Sequence, residues 1–433
     1  MGVDTPTPPL MKVLVVGSGG REHTLAWCAT RSPRVDTVVS APGNGGTAAL
    51  GENIPLDPLD LPALVEVARR VAPDLAIVGA DDPLAAGAID ALQGAGVLAF
   101  GPTKQAAEIE SSKVWSKGFM RRHGVPTSPF EVFDDPRAAH RFLDGNPWGG
   151  RLVVKADGLT RGKGVIVPDS LAAAHTALAA VMEQQAYGPG GSRVVIERRL
   201  EGPEASVFAL CDGETAIPFG VARDHKRIFD GDRGPNTGGM GAYSPTRLVP
   251  APVLDEVLAR IVRSTVAGLA AEGRPFRGFL YAGIMLTAEG PQVIEFNARY
   301  GDPEAQAVLP LLESDLIELL LRAVEGRLGG ARPEWKEQAA CAVCLASEGY
   351  PDAVRDGVPL TGLEDVDPGV YLFHAGTVRR NGALLTSGGR ILTVTGMGPD
   401  LTAARRAAYT NAERVRFQGM QYRRDIGAQE ASS

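Results

Sequence analysis

The sequence predicts a multidomain protein of the α/β and α+β classes, with an N-terminal doubly wound parallel sheet, a middle unit built on hairpins and a small C-terminal α+β domain. Three observations support this: strands alternate with helices over the first hundred residues, glycine-closed hairpins begin after residue 150, and 433 residues are enough for about three domains. The divisions fall at a disordered tail, residues 1–10, then at 11–112, 113–328 and 329–433.

Taken in order, Lys12–Val16 is an apolar run that passes through Gly17-Ser18-Gly19-Gly20 into a helical stretch, Arg21–Arg31. Strand Val35–Ser40, helix Pro62–Val71, strand Leu75–Val78, helix Pro83–Gln93 and strand Val97–Phe100 continue the alternation. Thr103 then reads as the N-cap of one long helix reaching His123. From Leu152 the pattern changes. Strand Leu152–Lys155, the glycine-rich turn Asp157–Gly164 and strand Val165–Val167 make a hairpin, followed by helix Ser170–Gln184 and strand Arg193–Glu197. Strands Glu204–Cys211 and Thr215–Phe219 lead into a long glycine-rich loop, Asp224–Pro245. Helix Pro252–Glu272, strands Phe279–Leu286 and Gln292–Phe296 and a single helix Glu304–Glu325 complete the middle unit. Strands Ala339–Ser347, Gly369–Phe373 and Arg390–Thr395 and helix Asp400–Val415 form the last.

Composition narrows the function classes. Hydrophobic residues make up 44% and charged residues 22%, ordinary values for filled cores. The net charge of −7 disfavours nucleic-acid binding, yet leaves room for local basic pockets that take phosphates. Only eight residues are Lys, so each lysine is informative. Four cysteines in so long a chain are no disulfide framework. Cys341 and Cys344, three apart on an apolar strand, point to opposite faces and read as core. No apolar run approaches the ~18 residues that span a bilayer, and Met1–Leu10 lacks the charge and apolar stretch of a signal peptide. A cytoplasmic protein with no membrane partner is expected.

Four stretches carry chemistry. Gly17–Glu22 follows a strand and opens a helix, where a phosphate is favoured and Arg21 is placed to clamp it. Glu22 stands where the dinucleotide fingerprint needs Gly, which disfavours a nicotinamide cofactor; the competing reading is a tight turn. Lys155-Ala-Asp-Gly-Leu-Thr-Arg-Gly-Lys-Gly164 puts a lysine at a strand end and another in a glycine loop, which suits a flap closing over phosphates, against a merely solvated basic turn. It is not a P-loop. Glu295, Asn297 and Arg299 alternate onto one face of a strand, where two oxygen donors fit Mg²⁺ and the arginine can clamp a carboxylate or phosphoryl group, against a polar strand edge. Pro235–Pro245, preceded by Asp224-His225-Lys226-Arg227, reads as an active-site wall. Neither His225 nor His23 is assigned as a base.

Together these residues resemble the ATP-grasp ligases, and more narrowly the phosphoribosylamine–glycine ligase (glycinamide ribonucleotide synthetase) family. The resemblance runs from Met11 to about Gly427. It rests on V-x-G-S-G-G-R-E-H at the N-terminus, G-P-T-K at 101–104, K-A-D-G at 155–158, G-P-N-T-G-G-M-G-A-Y-S-P at 234–245, the Glu295–Asp302 stretch with Pro303-Glu304, and H-A-G-T at 374–377. It implies a central ATP-grasp fold with a mobile flap subdomain at about 126–194. It also implies ligation of glycine to 5-phosphoribosylamine at the expense of ATP, through a glycyl phosphate, in purine biosynthesis. Lys155, Arg299, Asp224 and Asp302 would be catalytic. ATP would meet Lys113, Lys155, Gly158, Gly162, Lys163, Gly164, Glu197, Leu200 and Glu204. Gly19, Gly20, Arg21, Gly79 and Asp81, with Asp224, Arg299, Gly301 and Asp302, would hold the other substrates, and Glu295 and Asn297 would hold Mg²⁺ or Mn²⁺. No nucleic acid is implied, and the chain is expected to be a monomer or weak homodimer.

The chain departs from the family pattern at Gly79-Ala80-Asp81, where Gly-Pro-Glu is usual, which puts the ribose contact of Asp81 in question. Arg198 in the hinge and Arg161 in the flap also depart, and little effect is expected of either. Alternatives are another ATP-grasp ligase or carboxylase, a nicotinamide-dependent oxidoreductase and a non-catalytic nucleotide-binding regulator. The Gly-Gly-Met-Gly loop, Glu22 and the intact set of Glu295, Asn297 and phosphate lysines weigh against them in turn.

Overall fold

The structure, a computed structural model, describes residues 10–160, 164–188 and 192–431. The expected tail before Leu10, and Arg161, Gly162 and Lys163 of the flap turn, lie outside the described residues.

The N-terminal sheet is parallel throughout, in the order β3-β2-β1-β4-β5, formed by β1 (Met11–Gly17), β2 (Val35–Pro42), β3 (Glu52–Asn53), β4 (Leu75–Val78) and β5 (Ala99–Phe100). Val13 to Val16 are wholly buried because both faces are covered, as a parallel sheet requires. Val13 and Val15 pack with Leu25 of helix Gly20–Thr30, while Leu14 and Val16 pack with Leu64 of helix Leu61–Val71. The sheet is therefore doubly wound. Two helices expected as single are divided. Pro83–Gln93 is two short helices, Asp81–Ala86 and Ala88–Gly94, parted at Gly87 with φ +103°, a value glycine accommodates. The Thr103–His123 helix breaks at Ser112, whose extended backbone caps a new helix, Lys113–Arg122, through its hydroxyl on the Trp115 amide at 3.1 Å.

A four-stranded antiparallel sheet follows in the order β6-β9-β7-β8, made from β6 (Phe130–Phe133), β7 (Leu152–Ala156), β8 (Val165–Ile166) and β9 (Val194–Arg198). Helices Pro136–Asp144 and Leu171–Met182 pack on it around Leu143, Val154, Leu178 and Ile196. β6 and the first of these helices add to the sequence reading. β6 is only four residues long, too short for its alternation to stand out.

The largest sheet has eight antiparallel strands in the order β16-β15-β10-β11-β14-β17-β21-β18. In chain order these begin with β10 (Glu204–Asp212) and β11 (Ala216–Asp224). A hairpin of β12 (Arg227–Phe229) and β13 (Arg233–Asn236) precedes β14 (Gly241–Ser244), β15 (Arg277–Thr287), β16 (Gly290–Asn297) and β17 (Ala339–Ala346). After β18 (Tyr371–His374) comes a second hairpin, β19 (Thr377–Arg380) with β20 (Ala383–Thr386), and then β21 (Arg390–Gly398). The stretch expected as one long loop, Asp224–Pro245, thus contains three strands. Its glycines hid β14, four buried residues in the interior of the sheet. Helix Pro252–Glu272 is present as one run, Ala251–Ala271, through a π turn at Leu258–Val262. Glu304–Glu325 is interrupted at Leu309–Leu311, where Pro310 has no N–H to give, and restarts as Leu316–Val324 under an Asp315 cap.

Cys341 and Cys344 are buried in β17, where burial pushes both thiols up to about 12. The N-terminal unit meets β18 through two histidines: the His374 amide donates to His23 Nδ1 at 2.7 Å, and burial lowers the two rings to about 4 and about 3, keeping both neutral. Among the described residues no helix is long and apolar enough to cross a membrane.

Candidate functional site

Glu295 and Asn297 project from one face of β16, whose register places Asn297 opposite Tyr281 and Glu295 opposite Gly283. Ile294 forms a bulge between those pairs and the next, Ile284 with Val293. β16 ends at Asn297, so Arg299 lies in the bend beyond it and not on the strand as alternation suggested. Burial pushes the Glu295 carboxyl up, but Lys226, Lys155, Lys113 and Arg299 outweigh it and hold the group at about 2. Lys226 Nζ stands 3.4 Å from Glu295 Oε1 and 3.7 Å from Glu204 Oε2. Asn297 is buried, and among the described residues none hydrogen-bonds its amide. A charged carboxylate beside an uncommitted amide oxygen is a donor set of the hard kind that Mg²⁺ and Mn²⁺ accept.

Lys155, at the end of β7, donates to Ile294 O at 3.0 Å and pairs with Glu197 Oε1 of β9 at 2.6 Å. The other oxygen of Glu197 pairs with Lys117, four residues after Lys113 on the same helix. Lys113 Nζ donates to Gly158 O at 2.8 Å, which ties the flap turn to the helix start. Asp157 reinforces that tie by accepting from Ser112 Oγ at 3.0 Å, from the Val114 amide at 3.2 Å and from Arg193 at 2.6 Å. Gly164 closes the turn: its carbonyl accepts from the Ala156 amide at 2.8 Å and its amide donates to Thr160 Oγ1 at 3.0 Å. Leu200 follows β9, Glu204 opens β10 with its carboxylate half exposed, and Arg198 is at the surface.

Asp224 ends β11 half-buried beside the buried Glu304, and its carboxylate accepts from the His225 amide at 2.7 Å. Burial and the Glu304 charge push it well above the usual carboxylate range. Asp302 has the opposite balance. Burial pushes it up, and Arg390 and Arg21 more than reverse this. Arg390 Nη1 also donates to the carbonyls of Asp302 at 2.7 Å and Gly238 at 2.9 Å, so one guanidinium joins the Gly-Gly-Met-Gly loop to the Asp302 turn. Gly301 packs on Glu304. At Gly239, φ is +114°, and a Cβ would lie 2.5 Å from Pro303 Cδ and 2.9 Å from Asp224 Oδ1. Gly239→Ala is expected to lose about 2–3 kcal/mol of stability, read from urea unfolding; an unchanged midpoint would show the loop to be free to move.

Arg299 Nη2 pairs with Glu110 Oε1 at 2.8 Å and lies 3.7 Å from Asp81 Oδ2. Glu110 Oε2 accepts from the Ala298 amide at 2.7 Å. Burial pushes the Glu110 carboxyl up to about 7 against the pull of Arg299. Arg21 lies close by, with Nε 2.5 Å from Glu22 Oε1 and Nη1 3.2 Å from Tyr300 O. The Gly19 amide donates to Glu22 Oε2 at 2.7 Å, and a Cβ at Gly79 would lie 2.7 Å from Glu22 Oε1. Glu22 therefore bridges the two glycine turns and fills the helix start, which explains why the dinucleotide pattern fails there. Gly20 packs under Gln306 and Asp302.

The structure thus gathers the expected residues into two neighbouring groups. Lys113, Lys155, Gly158, Gly164, Glu197, Glu204, Glu295 and Asn297 form one, with Leu200 placed only by the chain, two residues beyond β9. Gly19, Gly20, Arg21, Gly79, Asp81, Asp224, Arg299, Gly301 and Asp302 form the other. Sequence reasoning missed Lys117, Glu110, Glu304 and Arg390. Lys117 had a signal: it is four residues after Lys113 in a lysine-poor chain. Glu110 and Arg390 had none.

Residues 11–110, 111–305 and 340–429 match the N domain, the ATP-grasp (A) domain and the C domain of phosphoribosylglycinamide synthetase. A phosphoribosylamine–glycine ligase of Ralstonia nicotianae is 46% identical over 420 residues, covering 96% of this chain and 99% of that one. The crystal structure of the phosphoribosylamine–glycine ligase of Thermotoga maritima superposes with a TM-score of 0.84 at 34% identity, covering 96% of this chain and 100% of the other. The biotin carboxylase domain of the Hydrogenobacter thermophilus 2-oxoglutarate carboxylase shares the fold, with a TM-score of 0.69 at 17% identity, covering 96% and 92% of the two chains.

Proposed function

The chain belongs to the phosphoribosylglycinamide synthetase family, and from this we propose how an ATP-dependent ligase that joins glycine to 5-phosphoribosylamine divides the work among its residues. The reaction yields glycinamide ribonucleotide, ADP and phosphate, a step of purine biosynthesis, and the family uses ATP with a divalent metal ion. The observation that carries the residue assignment is the gathering of Lys113, Lys117, Lys155 and Lys226, half of the eight lysines, around Glu197 and Glu295.

In this reading Lys155 and Lys113 face the ATP phosphates, with the Gly158–Gly164 turn and its Lys163 closing over them. The Glu197–Leu200 segment holds adenine, and Glu204 the ribose hydroxyls. Glu295 and Asn297 would hold Mg²⁺ or Mn²⁺, which when bound neutralises phosphate charge. Phosphoryl transfer asks for positioning and charge more than for acid–base groups, and the lysines with Arg299 supply both. The glycine carboxylate attacks the γ-phosphorus as the bond to ADP breaks, giving glycyl phosphate. The amine of phosphoribosylamine then attacks the acyl carbon, and phosphate leaves. Exclusion of water by the closed turn protects the acyl phosphate in the interval. Asp224 and Asp302 are the carboxylates that meet an amine: the ionised form of Asp224, whose proton affinity burial and Glu304 raise, takes the proton that the attacking amine gives up, while Arg390 and Arg21 keep Asp302 charged for an ammonium. Gly19, Gly20, Arg21, Gly79 and Asp81, with Gly301, receive phosphoribosylamine.

The test is ADP release from Mg·ATP with phosphoribosylamine generated in the assay. Release that requires both glycine and phosphoribosylamine is expected. Release with bicarbonate or another amino acid in place of glycine would overturn the substrate assignment.

A further inference from the structure

We propose that Lys117 is a positioning residue that balances Glu197 and so leaves the charge of Lys155 for the nucleotide. The proposal rests on the assignment of Lys155 to the ATP phosphates. Glu197, Lys155 and Lys117 have side chains 5%, 4% and 3% exposed, so three charges share a site almost without water. One carboxylate serves two ammonium groups, Lys155 at Oε1 and Lys117 at Oε2. Lys117 is otherwise enclosed: it donates to Thr127 Oγ1 at 2.7 Å and lies 5.8 Å from the centre of the Phe130 ring.

A single lysine would neutralise Glu197 in a pair, the arrangement that desolvation favours, since each extra buried ion costs several kcal/mol. The second lysine makes the trio cationic by one unit. Because Lys117 is walled off, that excess is expressed through Lys155. Of the three N–H groups of Lys155, Glu197 and Ile294 O take two. Among the described residues nothing takes the third, which is left for a phosphate oxygen in surroundings where charge is poorly screened.

The charged groups that face Lys117 are Glu197 on β9, Lys155 on β7 and Glu295 on β16. Burial, only partly offset by Glu197, brings the ammonium down to about 8. The excess charge therefore fades as pH rises through that value.

The experiment measures binding of Mg·ATP and of adenosine by calorimetry for the wild-type chain, Lys117→Met, Lys155→Met and the double variant Lys117→Met/Glu197→Gln. Lys117→Met is expected to weaken ATP about tenfold and to leave adenosine unchanged, as the loss of one poorly screened charge implies. The double variant restores the excess unit and most of the ATP affinity. Wild-type ATP affinity falls between pH 7 and pH 9, and that of Lys117→Met falls less. Equal weakening of ATP and adenosine in Lys117→Met, or no recovery of ATP affinity relative to adenosine in the double variant, overturns the proposal. If Lys155→Met loses ATP but Lys117→Met does not, this proposal alone fails. If Lys155→Met binds ATP normally, the assignment of Lys155 fails and takes this proposal with it.

Discussion

Replacing Glu295 with alanine is expected to cut turnover by at least about a hundredfold, the scale at which a pre-organised electrostatic contact is lost. The expected effect on binding is of the opposite sign. Lys226, Lys155, Lys113 and Arg299 all bear on this carboxylate and hold it at about 2. Without it they stand together with one fewer opposing charge, so metal-free ATP should bind at least as well as before. Catalysis nevertheless fails, because Asn297 alone is a poor holder for a hard dication. Glu295→Gln keeps an oxygen donor and drops the charge, and should fall between the two. ADP release and metal-free ATP titration on the same preparations separate these effects. A Glu295→Ala rate near that of the wild type would sink the metal assignment.

Arg299→Met should be the most destabilising single change in the second group of residues, at about 3–5 kcal/mol, since it removes one partner of a buried ion pair and strands the other. Glu110 is the stranded partner, and its response sets the pH dependence. With Arg299 in place the carboxyl already titrates at about 7, and without that counter-charge it rises further. A carboxyl whose folded value lies above its unfolded value binds more protons in the native state, so stability falls as pH rises towards the folded value. The loss should therefore be larger at pH 8 than at pH 6, where Glu110 is protonated and needs no partner. Urea unfolding at the two pH values measures it. Glu110→Gln in the Arg299→Met background should recover much of the loss. A deficit independent of pH would mean that Arg299 acts by packing alone. Arg299→Lys is not a mild substitute, because a point charge does not reach Glu110 and Asp81 with the geometry of a guanidinium.

The features legible in the sequence were those whose chemistry is local. A lysine at a strand end, glycines in a turn and two oxygen donors two residues apart keep their meaning wherever the strand is placed. Lys155, Gly158, Glu295 and Asn297 belong to that kind, and the parallel start of the chain was readable from its alternation. What escaped depends on distance along the chain. Glu110 reaches Ala298 across 188 residues, and nothing in its helix marks it off from Glu108. Ser112 looked like one more helical residue, yet its hydroxyl serves Asp157, and that bond breaks the helix where Lys113 must begin. Glycine misled at Gly241: a residue that ordinarily signals a loop opens a strand packed so tightly that a Cβ would lie 2.6 Å from the Ala342 carbonyl.

That strand decides whether the chain can be divided. β14 has β11 on one flank and β17 on the other, and through it a single hydrogen-bonded ladder runs from the metal-binding candidates on β16 to β18 beside His23. Severing the protein near Gly330 would convert this interior strand into a raw rim, with unmatched N–H and C=O groups that recruit neighbouring chains. The first three-quarters of the sequence is therefore not a detachable enzyme with an accessory behind it, because the final hundred residues complete the sheet on which the candidate chemistry is mounted.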